Sequence, residues 1–275
     1  MIWTFIRRHP RIVIGGTLMG ILVLLSLLAP WIAPYDPLKL NVSQRLKPPS
    51  AVYWFGTDAY GRDVLSRTLW GGQISLVIAV AVAALSTVLG TLVGLMAGYF
   101  RLMDTIVMRM MDGLMAIPGI LLAVAMLSLS KASIATVIIA ITIPEIPRVV
   151  RLVRAVVLSL REQTFVSGAV ASGSRVPRIL FRHILPNAMT PIIVQATYIA
   201  ASAVLIEAYL GFLGVGTPPE VPSWGNIIAE GRNFIMLAIW AVLFPGLFLG
   251  TMVLSINILG DGVRDMLDPR IAKRI

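Results

Sequence analysis

The chain has 275 residues, of which 57% are hydrophobic and 13% charged, with a mean hydropathy of +0.88. A soluble domain is about a quarter charged, so these charges cannot coat a water-facing surface of this size. An ordinary soluble, disordered or nucleic-acid-binding identity is excluded, and the net charge of +10 must be read from its distribution. Cysteine is absent, which removes disulfides, thiolate metal sites and thiol nucleophiles.

Uncharged runs extend over Ile12–Tyr35, Thr68–Phe100, Gly113–Ser130, Ile184–Ile206 and Asn233–Gly260. Each is long enough, or nearly so, for the roughly 20 apolar residues of a membrane-crossing helix. The expected fold is all-α and polytopic, with six spans at about 12–33, 75–99, 112–130, 132–150, 188–212 and 235–258. The first follows Arg7, Arg8 and Arg11; its apolar run exceeds that of a cleaved signal peptide, so it reads as an uncleaved anchor. A polar external segment, about 34–72, separates it from the rest, dividing the chain into 1–72 and a five-helix core at 73–275.

The second span carries Gly90-xxx-Gly94-xxx-Gly98, a one-face stripe that lets a neighbouring backbone approach closely, within this chain or from a second membrane subunit. In the fourth, Pro144, Glu145, Pro147 and Arg148 predict a break in the second half. A basic cytoplasmic segment follows at about 151–186, and a second external segment at about 214–233 contains Thr217-Pro218-Pro219-Glu220-Val221-Pro222-Ser223-Trp224. With the N-terminus inside, 16 of the 23 Lys and Arg residues fall on the cytoplasmic side, so both termini are expected there. The +10 charge is mainly a topology signal.

No GxxxxGK[ST] occurs, no Ser/His/Asp constellation is legible, and the two histidines, His9 and His183, are far apart in the chain. Catalysis, a metal site and a bound cofactor are not expected in this chain. The informative stretch is 161–186. Arg161 to Ser172 reads as a helix, Gly173 as a turn residue, and Ser174 as the N-cap of a second helix that has Pro177 in its first turn and ends at Pro186. Such a helix–turn–helix suits docking into a groove on another protein or lying on anionic lipid through its arginines.

The same residues resemble a known loop. Phe165-Val166-Ser167-Gly168-Ala169-xxx-Gly173, then Phe181-Arg182-His183-Ile184-Leu185-Pro186-Asn187, is similar to the EAA loop of ABC-importer permeases. Three further stretches resemble the C-type permeases of the dipeptide/oligopeptide/nickel group. They are Trp54-Phe55-Gly56-Thr57-Asp58-Ala59-Tyr60-Gly61-Arg62-Asp63-Val64-Leu65-Ser66-Arg67, Glu207-Ala208-Tyr209-Leu210-Gly211-Phe212-Leu213-Gly214-Val215-Gly216, and Gly260–Arg270. The family's Glu-Ala is Ser167-Gly168 here and its Ile is His183, while Gly173 and Leu185-Pro186 keep the pattern.

The resemblance implies a type I importer permease in a bacterial or archaeal inner membrane. It implies a homologous permease partner, two ATPase subunits that bind ATP and Mg, and an external substrate-binding protein. Residues 165–173 with Leu185 and Pro186 would then contact the ATPase, and Trp54, Tyr60 and Trp224 would lie on the binding-protein face. Peptides, nickel complexes and opine- or sugar-like solutes all remain open as cargo.

Charges at membrane depth usually mean a partner or a wet cavity. Glu145 is expected to line the path or pair with Arg148 or Arg151. Glu207 is expected to pair within the bundle or face the external gate, and Asp112 to sit at the cytoplasmic mouth of the third span. Met110, Met111, Met115 and Met126 suit an adaptable cavity wall or plain packing. A secondary transporter using Glu145 and Glu207 is the rival reading; it would function alone and often shows inverted repeats, and none is seen. A non-transporting assembly factor would need neither the carboxylates nor a broken span.

Overall fold

The computed structural model describes residues 9–267, and among these no strand occurs. Arg7, Arg8 and the last three residues of the Gly260–Arg270 stretch, with Lys273 and Arg274 of the basic residues counted as cytoplasmic, lie outside the described residues. Helix α1 covers Pro10–Leu27 and α2 covers Val64–Tyr99. Two shorter helices, α3 (Arg101–Ala116) and α4 (Gly119–Ser128), follow at a bend of 81°. Then come α5 (Ile134–Arg161), α6 (Thr164–Ala171), α7 (Leu185–Phe212), α8 (Trp224–Gly231) and α9 (Trp240–Leu267).

Four of these helices are long and apolar enough to cross a membrane, five if the bent pair α3–α4 is one span. The fourth expected span is α5, whose charges keep it from passing on apolarity alone. The third span is not one rod: Pro118, extended at φ −54° and ψ 126°, turns the chain between α3 and α4. The break expected at Pro144 and Pro147 is absent, since α5 runs unbroken through both. It starts on a capping box between Ser133 and Thr136, and packing along α2 holds its second half helical.

That packing is the centre of the fold. A methyl placed on Gly90, Gly94 or Gly98 would lie 2.5, 2.8 or 2.6 Å from the Cβ of Val149, Val153 or Val157. Three glycines four apart therefore form a groove that takes three valines four apart, and the stripe is used within this chain. Around this seam Ile78, Val82, Leu95, Ile141, Ile184 and Ile199 are buried in one cluster. Helix α1 lies against α9, where Gly15 meets the backbone of Leu259, and Arg11 pairs with Asp265 at 2.7 Å.

Helix α2 begins eleven residues before the expected span, because Asp63 caps it: its carboxylate accepts the Ser66 N–H at 2.8 Å. Arg67, which excluded this turn from the apolar run, is neutralised by carboxylates (below). The segment between α1 and α2 is tied down as well, with Phe55 stacked on Phe244 at 4.0 Å and the Trp240 indole donating to Thr57 O at 3.0 Å.

Candidate functional site

The segment at 161–186 is two pieces with a sharp turn. Helix α6 ends in a Schellman motif: Gly173 N–H donates to Val170 O at 2.9 Å, and Ser174 N–H to Ala169 O at 3.1 Å. Gly173 sits at φ +72°, where only glycine is unstrained, and no atom lies within 4 Å of a Cβ placed there. Val166 is buried against the bundle, while Phe165, Ser167, Gly168 and Val170 are exposed, with Ala169 half-buried between them. The departures at Ser167 and Gly168 thus sit on the outward surface, and the third, His183, is half-buried.

Two sequence expectations are corrected here. The helix expected from Arg161 to Ser172 is α6, Thr164–Ala171, since α5 ends at Arg161, and the second starts after Arg175 with no capping by Ser174. Nor does it end at Pro186. Residues 176–178, a wide π turn over 179–184 and α7 run on as one rod, Val176–Phe212. The wide turn gives the reason: Pro186 has no N–H to offer Arg182 and its ring would crowd that carbonyl, so the helix loosens there instead of stopping. Asn187 Nδ2 donates to His183 O at 2.7 Å. Leu185, half-buried, and Pro186, exposed, therefore stand at the foot of a spanning helix and connect it mechanically to α6.

Charges on α5 hold the bent α3. Arg151 Nη2 donates to Asp112 Oδ1 at 2.6 Å, and Arg154 grips Asp104 with two nitrogens. Asp112 is exposed and paired. One turn away, Glu145 is 3% exposed and takes Arg148 Nη1 at 2.9 and 3.1 Å. The pair forms part of the wall of a cavity of about 450 Å³ that Met115, Pro118, Ile120 and Ser202 also line. Of the four methionines singled out, Met115 is the one in this wall. Of the two expectations for Glu145, the arginine pair is the one seen, with Arg148, and both residues line this cavity.

The two halves of this pair are unequal, which sets a prediction. Arg148→Gln strands a carboxylate that is 3% exposed and should lower stability by about 2–3 kcal/mol. Glu145→Gln strands an arginine that is 55% exposed and should lower it by less than about 1 kcal/mol. Thermal melting of the detergent-solubilised protein compares them; equal shifts would contradict this order.

Glu207 is fully buried in α7 and accepts from Ser75 Oγ at 3.0 Å, with no Lys or Arg partner among the described residues. It belongs to the α2–α7 packing. Of the three aromatics expected on the binding-protein face, Trp54 and Tyr60 are exposed, whereas Trp224 is fully buried, its indole donating to Thr68 O at 2.9 Å. Trp224 anchors α8 on α2 and is no surface contact.

Sequence reasoning missed one constellation. Arg62 and Arg67 bridge Asp58 and Glu230: Arg62 to Asp58 at 2.7 Å, Arg67 to Asp58 at 2.7 Å and to Glu230 at 2.6 Å, with Arg62 also on Glu230. The cluster joins the loop before α2, the first turn of α2 and α8, and the Tyr60 ring lies against Arg62. Asp58, Arg62 and Arg67 stood in the quoted 54–67 stretch, but Glu230 had no sequence signal.

Residues 90–273 match the family of binding-protein-dependent transport system inner membrane components. The chain belongs to this family. It is a permease subunit of an ABC importer, the membrane component rather than the enzyme. Residues 1–49 of the permease also match the N-terminal transmembrane domain of oligopeptide transport permease C. A probable peptide ABC transporter permease of Sinorhizobium fredii is 50% identical over 98% of this permease and 92% of its own length. The dipeptide transport system permease DppC of Alkalihalophilus pseudofirmus is 40% identical, over 97% and 88%. The inward-facing methionine ABC transporter MetNI shares the fold, with a TM-score of 0.61 at 19% identity over 74% of this permease and 96% of that chain. Permeases of this family work with ATPase subunits and a binding protein, in the inner membrane.

Proposed function

We propose that this permease forms half of a translocation path for peptides, paired with a homologous second permease rather than with its own copy. The peptide relatives named above, matched along nearly their whole length, support the cargo class. Six crossings with both termini cytoplasmic follow if α3–α4 and α5 each count as one span; α5, at about 42 Å, is long enough. The observation that carries the mechanism is the continuous rod from Val176 to Phe212, with α6 hinged to its foot at Gly173.

Phe165, Ser167, Gly168 and Val170 then seat on an ATPase subunit, which binds ATP and Mg. Closure of the two ATPases displaces α6, and the rod carries that displacement across the membrane. At the cavity wall, Glu145 and Arg148 offer the solute a buried carboxylate and an exposed guanidinium, and the apolar Met115 and Ile120 beside them bind nothing tightly. The external binding protein docks over Trp54 and Tyr60.

Cross-linking tests the arrangement, since the native chain has no cysteine. Tyr60→Cys is expected to capture the external binding protein and Ser167→Cys an ATPase subunit, both in the assembled complex. The reverse pattern would invert the topology. Co-purification of a second, non-identical permease checks the pairing, and uptake of dialanine by the reconstituted complex checks the cargo.

A further inference from the structure

The buried cluster at the outer end of α2 has unspent hydrogen-bonding capacity on both sides. Arg67 is 1% exposed and uses Nη1 alone, for Asp58 and Glu230; its Nε and Nη2 are buried without an acceptor. Four residues earlier, Asp63 uses Oδ2 for the Ser66 N–H and hydroxyl, at 2.8 and 2.7 Å, and its Oδ1 is buried without a donor. Burial pushes the Asp63 carboxyl up, against the hydrogen bonds from Ser66 and Leu65 that hold it down, with Asp58 nearby adding to the rise. Leaving buried polar groups unmade is costly, and native structures rarely hold three in one place.

These orphans are complementary. Asp63 and Arg67 stand at i and i+4 around the first turn of α2, a spacing at which a carboxylate and a guanidinium meet. We infer that Arg67 has a second arrangement, in which it turns from Asp58 and Glu230 onto Asp63 Oδ1, and that Asp63 and Arg67 are positioning residues of the transport cycle. In the arrangement described, Arg67 ties the external loop and α8 to the top of α2. In the second, the same guanidinium satisfies Asp63 and lets α2 move relative to the loop. Arg62 still holds Asp58 to Glu230, so the loop and α8 stay together as one outer unit. A buried charge cluster adds little net stability, and selecting between states is its better-attested use. Trp224 and Ser75 join α8 and α7 to α2 just below, so a shift at this turn reaches the spanning helices.

The inference goes beyond the proposed function and does not depend on which external residues the binding protein touches. Its test uses Asp63→Asn in the complete complex with its binding protein. Asparagine caps a helix as well as aspartate does, so the fold should hold, but the second arrangement loses its charge. Spin labels at Val52→Cys and Asn233→Cys, both exposed, report the loop and the segment after α8; a third at the exposed Val77→Cys, paired in turn with Val52→Cys, reports α2 against the loop.

The expected result is two Val52–Val77 label distances in the wild type, redistributed by binding protein and nucleotide, with the 52–233 distance constant. In Asp63→Asn only one 52–77 distance should remain. Stimulation of ATP hydrolysis by the binding protein should fall about tenfold, the scale of one charge-assisted hydrogen bond, with basal hydrolysis and melting temperature retained. A single 52–77 distance in the wild type under all conditions would overturn the inference. So would normal stimulation in Asp63→Asn. A fall in melting temperature together with basal hydrolysis would make Asp63 structural only, and that too would overturn it.

Discussion

Gly94→Val is expected to abolish assembly of a folded permease. The added side chain would start 2.8 Å from Val153 Cβ and 3.0 Å from the Val150 carbonyl oxygen, and one of these is backbone. Neither helix can retreat, because Gly90 and Gly98 pin the same groove one turn above and below. Overpacking on this scale costs about 3 kcal/mol, and here the displaced element is α5, which carries Glu145, Arg148, Arg151 and Arg154. Glycine to valine is itself mildly favourable to neutral within a helix, so the loss is attributable to the seam. Gly250→Val is the control, since no atom lies within 4 Å of a Cβ there. Yield and monodispersity of the detergent-solubilised protein give the comparison, and a well-behaved Gly94→Val protein would show that α2 and α5 are not so closely apposed.

Gly173→Val should have the opposite character: the chain inserts and assembles, but ATP hydrolysis no longer drives transport. Nothing surrounds the position, so the cost is confined to the backbone, about 1–2 kcal/mol for a β-branched residue held at φ +72°. That is small against the stability of the membrane bundle but large against a single Schellman turn. The turn should open, freeing Val170 and Ala169 carbonyls and letting α6 swing relative to the rod that begins at Val176. Gly173→Asn, which tolerates the left-handed region, should keep most of the coupling. Uptake and ATP hydrolysis measured together in proteoliposomes decide it. Wild-type uptake per ATP in Gly173→Val would remove the turn from the coupling mechanism.

The membrane character, the helical class and the turn at Gly173 were legible in the residues. They depend on local properties: long uncharged runs, glycines four apart, and a glycine and a proline that restrict or free particular dihedrals. The Gly90, Gly94, Gly98 stripe announced a close approach, although only the structure identified Val149, Val153 and Val157 as what approaches. Four stretches in chain order were enough to suggest the family, which the match over residues 90–273 established.

What local pattern could not supply was the outcome of competition between a residue's preference and its surroundings. Pro144 and Pro147 disfavour a helix, yet packing against α2 keeps α5 continuous through both. Pro186 signals a stop, yet a wide turn absorbs it and the helix runs on. Trp224 has the chemistry of an interface residue, but burial on Thr68 uses it for packing. The charged cluster at the outer end of α2 shows the limit most plainly. Arg67 shortens an apolar run when read alone, and only Asp58 and Glu230, the latter 163 residues away, make it compatible with a buried first turn. Composition and periodicity determine which segments are helical and apolar, because those are properties of neighbouring residues. Which charges are neutralised, which prolines are tolerated and which aromatics stay exposed are decided by tertiary contacts, because each depends on a partner that the chain brings from far away.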